Sequence, residues 1–256
     1  MVATAREPGQ LDAWVASHPG RCIALPLDVT RRDAVFSAVE RAISAFGQLD
    51  VIVNNAGYGL VGAIEELSEP EVRAQLETNF FGALWGTQAV LPHLRARRTG
   101  HLVQISSVGG VGSMATFGAY NASKWALEGF SEALAAEVAP FGIRVTIVEP
   151  GGFATDWSWG SMRFSTALPA YDGLRESIFG IPRLPWDLSQ QSQDTSAPPE
   201  VAAKALLAHV NAPTGPLCLL LGDDAPLQVR TVMERRRDDY LRDPRFTWTE
   251  SPRGSE

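Results

Sequence analysis

Along the 256 residues, short runs of β-branched and apolar side chains alternate with longer stretches whose apolar positions recur at helical spacing. The short runs predict strands at Met1–Ala5, Cys22–Leu25, Val51–Val53, His101–Ser106, Ile143–Glu149 and Leu217–Leu221. The longer ones predict helices over Pro8–Ser17, Arg31–Phe46, Ser68 to about Arg97, Ala119–Ala139, Pro199–Asn211 and Ala225–Tyr240. Thr30 is placed to N-cap the second of these helices and Gly47 to close it, while Ser68 caps the third. Val51–Val53 reads as a buried strand running into Asn54. Apolar strands alternating with helices give one α/β domain over residues 1–256, with a doubly wound parallel sheet covered on both faces.

Residues 152–199 break this rhythm. They carry Trp157, Trp159, Phe164, Tyr171, Phe179 and Trp186 among serine, glycine and proline. A loop of this length is either functional or an exposed insertion, and so many aromatics are costly to leave in water. The segment therefore reads as a substrate lid containing short helices.

Composition acts mainly by exclusion. A net charge of −7 argues against a nucleic-acid partner, whose footprint would be a basic stripe. Arg235, Arg236 and Arg237 are followed at once by Asp238 and Asp239, the pattern of a solvated helix face. No apolar run reaches membrane-spanning length, and the opening MVATAREPGQ resembles no targeting peptide, so a cytoplasmic chain without a membrane partner is expected. Cys22 and Cys218, the only cysteines, read as buried reduced thiols. His18, His93, His101 and His209 are scattered and lack ligand spacing, so no metal is expected.

Candidate chemistry centres on Tyr120-Asn-Ala-Ser-Lys124. Four residues apart on a helix, the two side chains share a face, so an ammonium can approach the phenol oxygen or a group bound beside it. A nearby cation favours the phenolate, as acid/base work near neutral pH requires. Strand His101–Ile105 leads into Ser106 and Ser107, at the rim where ligands of parallel sheets bind, and the Ser107 hydroxyl can hydrogen-bond a carbonyl. Asn79 lies inside the long helix, where an amide is unfavourable. Strand Val145–Glu149 ends in Pro150-Gly151-Gly152-Phe153-Ala154-Thr155, which turns the backbone close to a ligand. Gly57-Tyr-Gly59-Leu-Val-Gly62 matches G-x-G-x-x-G, yet the residues some twenty positions on fall in a helix; it reads as the loop after the Asn54-Asn55-Ala56-Gly57 strand.

In order and spacing, Asp28, Asn54–Gly57, Asn79, Ser107, Tyr120, Lys124 and Pro150–Thr155 resemble the short-chain dehydrogenase/reductase family over nearly the whole chain. The resemblance implies a Rossmann-like sheet and hydride exchange between a nicotinamide cofactor and a small carbonyl or alcohol substrate, apolar or bulky given the lid. It makes Tyr120 the acid/base, with Lys124 lowering its pKa and holding the nicotinamide ribose. Ser107 would polarise the carbonyl and Asn79 support a water-linked proton relay. Asp28 and Val29 would flank adenine, Asn55, Ala56 and Gly57 would pass along its ribose, and Pro150, Gly151 and Thr155 would meet the nicotinamide end. Arg6 occupies the basic position of NADP-preferring members, so NADP(H) is expected ahead of NAD(H). A homodimer or homotetramer through the helices carrying Asn79 and Tyr120 is also implied, with Ala83, Gly86, Ala126 and Gly129 as small packing residues.

The family opens on a strand, a glycine-rich phosphate turn and a helix, and none of these has a counterpart here. The pattern begins on what should be the second strand, as though roughly 25–30 residues were lost. Either translation begins upstream of Met1, or the chain is a truncated, non-catalytic binding or regulatory protein that keeps the fold.

Overall fold

The computed structural model describes residues 1–155, 157–182 and 197–248. Four strands form the central sheet in the order β3-β5-β6-β8, all parallel: β3 (Val51–Asn54), β5 (Gly100–Ile105), β6 (Ile143–Pro150) and β8 (Cys218–Leu221). Their connections are the helices α4 (Gly82–Arg97), α5 (Gly118–Val138) and α7 (Pro199–Asn211), and α8 (Ala225–Tyr240) follows β8. Register fixes which side chains share a face. Leu102 pairs with Val145 and meets Val90 and Leu94 of α4 and Leu134 and Val138 of α5. Val103, one residue on, points the other way and packs with Val148, Leu221 and Leu206 of α7. The sheet is thus covered on both faces, as the apolar strand runs require.

β1 (Val2–Ala5) and β2 (Ile23–Pro26), joined through α1 (Asp12–Ala16), form a separate parallel pair. Among the described residues no ladder joins this pair to β3. Val51 and Val53 of β3 are consequently 37% and 47% exposed, contrary to the buried strand expected from their sequence. Backbone pairing on one side only leaves them uncovered.

The helix starting at Ser68 departs from a single rod. Ser68 N and Oγ both donate to the Glu71 carboxylate, and α3 (Glu69–Leu76) follows. A π-turn, Glu77–Phe81, then intervenes before α4. Thr30 does not cap α2 (Arg32–Phe46): its N–H and hydroxyl both donate to Asp28 Oδ1, and the local turn outcompetes the cap. Gly47 does close α2, in the left-handed region at φ 76°.

Three further expectations change. Ala83 and Gly86 face inward: the Ala83 carbonyl accepts from Asn54 Nδ2, and a Cβ at Gly86 would lie 2.4 Å from Asn54 Oδ1. They serve helix-on-sheet packing. His101 and His209, distant in sequence, both hydrogen-bond Thr146 Oγ1 at 2.8 Å. Arg236 leaves the solvated face to stack 4.1 Å over the Trp125 ring. No described helix is long and apolar enough to cross a membrane.

Candidate active site

The carboxyl ends of β3, β5 and β6 open into a cavity of about 1800 Å³. Among its lining residues are Asn55, Gly57, Ser107, Tyr120, Lys124, Pro150, Gly151 and Thr155. Asn79, Arg6, Asp28, Val29 and Ala56 lie outside that lining. A volume beyond the usual range for one small ligand leaves room for two molecules side by side.

Tyr120 and Lys124 sit in the first two turns of α5, both buried. Ser107, at the end of β5, holds the turn Val108–Gly110 by accepting from Gly109 N at 3.0 Å. Its hydroxyl is a hydrogen-bond partner of the Tyr120 phenol. Burial nevertheless pushes that phenol up to about 12, and the Ser107 bond only opposes it. Burial likewise draws Lys124 down to about 8, against the pull of the Glu128 carboxylate. Lys124 Nζ donates to the Ile105 carbonyl at 2.7 Å and lies 5.9 Å from the Tyr120 ring centre. With the cavity unfilled, desolvation outweighs the Ser107 hydrogen bond at the phenol.

Asn79 is reached by the π-turn, a feature frequent at functional sites. Its Oδ1 accepts from Tyr58 N, and its Nδ2 donates to Tyr58 O and Ser123 Oγ, all at 3.0 Å. The amide therefore staples the loop after β3 to α5, and its Oδ1, which accepts one bond here, keeps a second lone pair. Asp28 is exposed on the β1–β2 side, its carboxyl held below the ordinary value by the Thr30 hydrogen bonds, with Arg6 adding a smaller pull. Val29 packs where a Cβ on Gly82 would be.

Sequence reasoning missed several residues that shape the site. Asn121, inside the Tyr–Lys motif, donates to Gly109 O and accepts from Met114 N, tying down the loop over the cavity. Asp224 accepts from Gly152 N at 2.9 Å and so fixes the turn after β6. Glu128 follows Lys124 by one helical turn, a spacing that could have revealed it; burial raises its carboxyl to about 7.

Among the described residues of 152–199 are a π-turn at Trp157–Ser161, β7 (Arg163–Phe164), a 3-10 turn at Pro169–Tyr171 and α6 (Asp172–Phe179). β7 pairs with β4 (Leu60–Val61). Trp157 lies 5.3 Å from the Tyr120 ring, and Phe117 lies 6.1 Å from Tyr120 and 6.3 Å from Phe179. Trp186, the rest of 183–196, and the Trp159 side chain lie outside the described residues.

A buried ion pair ties residues 168–182 to the turn after β4. Arg175 Nη1 donates to Glu66 Oε1, while Leu168 N and Ala63 N donate to the same carboxylate. Burial opposes ionisation of Glu66, yet these three hydrogen bonds outweigh it and hold the carboxyl below its ordinary value. A depressed carboxyl contributes stability that is complete above its unfolded pKa and is lost as pH falls through the folded one. Acidification from about pH 6 to below about pH 4 should therefore loosen residues 168–182 first, seen as faster hydrogen exchange there than in β5 and β6. Uniform exchange across both regions would reject this.

Cys218 is exposed rather than buried, with its sulfur against the buried Glu149 carboxylate. Partial desolvation of the sulfur, reinforced by Glu149, pushes the thiol up to about 12. Alkylation by iodoacetamide at mildly alkaline pH should be slower than for a free thiol, and Glu149→Gln should speed it. An ordinary rate would contradict the assignment.

A parallel α/β sheet whose strand ends gather serine, tyrosine and lysine at one cavity defines a class of oxidoreductases. The family profile described as short chain dehydrogenase matches residues 1–163, and the chain belongs to that family. It is 38% identical over 226 residues to Oxidoreductase BOA17 of Botryotinia fuckeliana, covering 88% of this chain and 80% of that one. Among solved structures it resembles a short-chain dehydrogenase from Streptomyces avermitilis, with a TM-score of 0.83 and 39% identity over 94% of this chain and 86% of that one. A metagenomic short-chain oxidoreductase solved with NADP is 32% identical, with a TM-score of 0.55, over 59% of this chain and 70% of that one.

Proposed function

We propose that the protein interconverts a carbonyl and an alcohol using NADP(H), with Tyr120 as the acid/base. The observation that carries this reading is the convergence of Ser107, Tyr120 and Lys124 on one cavity. The cofactor site fits the residues present. A Cβ at Gly57 would stand 3.2 Å from Asn79 Oδ1 and 3.6 Å from Lys124 Nζ, so its absence leaves a polar cradle. Asn55, Ala56 and Gly57 would hold the cofactor along one side, Pro150, Gly151 and Thr155 at the nicotinamide end, and Asp28 and Val29 at the adenine. Arg6 beside Asp28 supplies the positive charge that favours a 2′-phosphate over NAD(H). When bound, the nicotinamide supplies or accepts the hydride.

The protein's own part is proton transfer and orientation. Ser107 donates to the substrate oxygen and leaves Tyr120 to deliver or remove its proton. Lys124, buried and cationic, stabilises a phenolate once the cavity is filled and binds the ribose, releasing Ile105 O. Residues 152–199 act as the lid, and Trp157, Met162 and Phe179 exclude water from the reacting carbon. A homodimer or homotetramer is part of this reading, supported on α5 by half-exposed Trp125 and by the open space around Gly129. A purely monomeric sedimentation profile would reject it.

The separation of β1–β2 from β3 favours a second reading: a binding protein without turnover. NADPH binding and ketone reduction by the 256-residue chain, compared with those of an N-terminally extended one, decide between the two. Turnover in either form supports the oxidoreductase. Failure of the extended chain to bind NADPH overturns it.

A further inference from the structure

The guanidinium of Arg175 is fully buried and occupies four acceptors from three stretches of chain. Nη1 donates to Glu66 Oε1 at 2.5 Å, Nε to Pro182 O at 2.7 Å, and Nη2 to Leu168 O and Asp172 Oδ1, both at 2.7 Å. Glu66 belongs to the turn after β4, on the body of the domain. The other three acceptors bracket α6. A planar fork satisfied on all sides sets orientation as well as distance, which an ammonium on a flexible stem does not.

One helical turn beyond Arg175 stands Phe179, against Phe117, in the apolar cluster that also holds Tyr120, Val61, Trp157, Met162 and Phe164. Ile178 and Ile181 line the same cavity. The wall beside Tyr120 is therefore apolar, and its position is set by a charge pair that does not line the cavity. Arg175 has no route to the substrate through its own donors, because each nitrogen is engaged.

We propose that Arg175 is a positioning residue that sets substrate preference: by clamping α6 onto Glu66 it holds the Phe117–Phe179 wall so that the site accepts a carbonyl borne on an extended apolar chain. The inference rests on the carbonyl/alcohol reading above. A short ketone reaches Tyr120 without touching the wall, whereas a long one must bury its chain along it. Loss of the clamp therefore acts on long substrates and spares short ones.

The test compares 2-butanone with 2-dodecanone as substrates of the NADPH-dependent reaction, in the form of the chain that binds NADPH. The wild type should prefer 2-dodecanone in kcat/KM by at least about tenfold. Arg175→Lys and Glu66→Gln should remove most of that preference through KM, with kcat/KM for 2-butanone within about twofold. A wild type without chain-length preference, or variants that keep it, would overturn the proposal. Should either clamp variant fail to fold by circular dichroism, Asp172→Asn, which weakens the hold on the same guanidinium, replaces it, with a loss in the same direction. If no ketone turns over, the carbonyl/alcohol reading fails separately, and binding of 2-dodecanone followed by tryptophan fluorescence still decides: weaker binding in the variants supports the clamp, and unchanged binding rejects it.

Discussion

Replacing Tyr120 with phenylalanine should lower kcat for NADPH-dependent carbonyl reduction by about 10²- to 10⁴-fold, the range that general acid–base groups contribute. The substitution removes one oxygen and keeps the ring that packs on Phe117 and Trp157. NADPH affinity and melting temperature should therefore change little, which separates a chemical role from a structural one. Burial raises the phenol to about 12 in the unliganded cavity, and that sharpens the prediction. A neutral Tyr120 is a ready proton donor for reduction, whereas oxidation must first wait for a phenolate. The alcohol-oxidation rate should accordingly climb with pH across the alkaline range, whereas the reduction rate should not. A kcat unchanged in Tyr120→Phe would remove the residue from the mechanism.

The largest stability effect is expected at Glu66. Truncation to alanine leaves the Arg175 guanidinium buried and without its formal counter-charge in the body of the domain, a loss of about 3–5 kcal/mol in comparable buried pairs. Asp172, half exposed, keeps one contact and moderates the cost. Denaturant melts of the wild type, Glu66→Ala, Arg175→Met and the double variant form a cycle in which the double variant should recover part of the loss. Recovery will be incomplete, because Leu168 O and Pro182 O lose their donor as well. Strict additivity of the two single changes would show that the pair is not coupled.

Strand and helix order, the sheet's parallel sense and the Tyr120–Lys124 spacing were legible because each depends on neighbours in sequence. Apolar periodicity reports which face of an element is buried, and i, i+4 spacing reports which side chains share that face. The Asn79 position stood out as an amide in a helix, but its partners did not. Tyr58 is 21 residues away and Ser123 is 44, and only the π-turn aims the amide at both.

The burial of the pair was not legible in the sequence for a related reason. Helix spacing gives the proximity of a lysine, whereas the water left around the phenol depends on Phe117 and Trp157, which pack against Tyr120 from distant segments. Similarly, Thr30 looked like a cap until Asp28 was seen to claim its hydroxyl, and Gly86 looked like an outward packing residue until Asn54 was seen beneath it.

The sequence by itself determined the class of fold, the family and the identity of the candidate acid/base, since those rest on local periodicity and on ordered motifs. Tertiary structure alone decided how the site is closed. Glu66 and Arg175 stand 109 residues apart, and no periodicity marks them as partners. Their coupling exists because β4 and β7 bring two distant turns together, burying opposite charges where water cannot screen them.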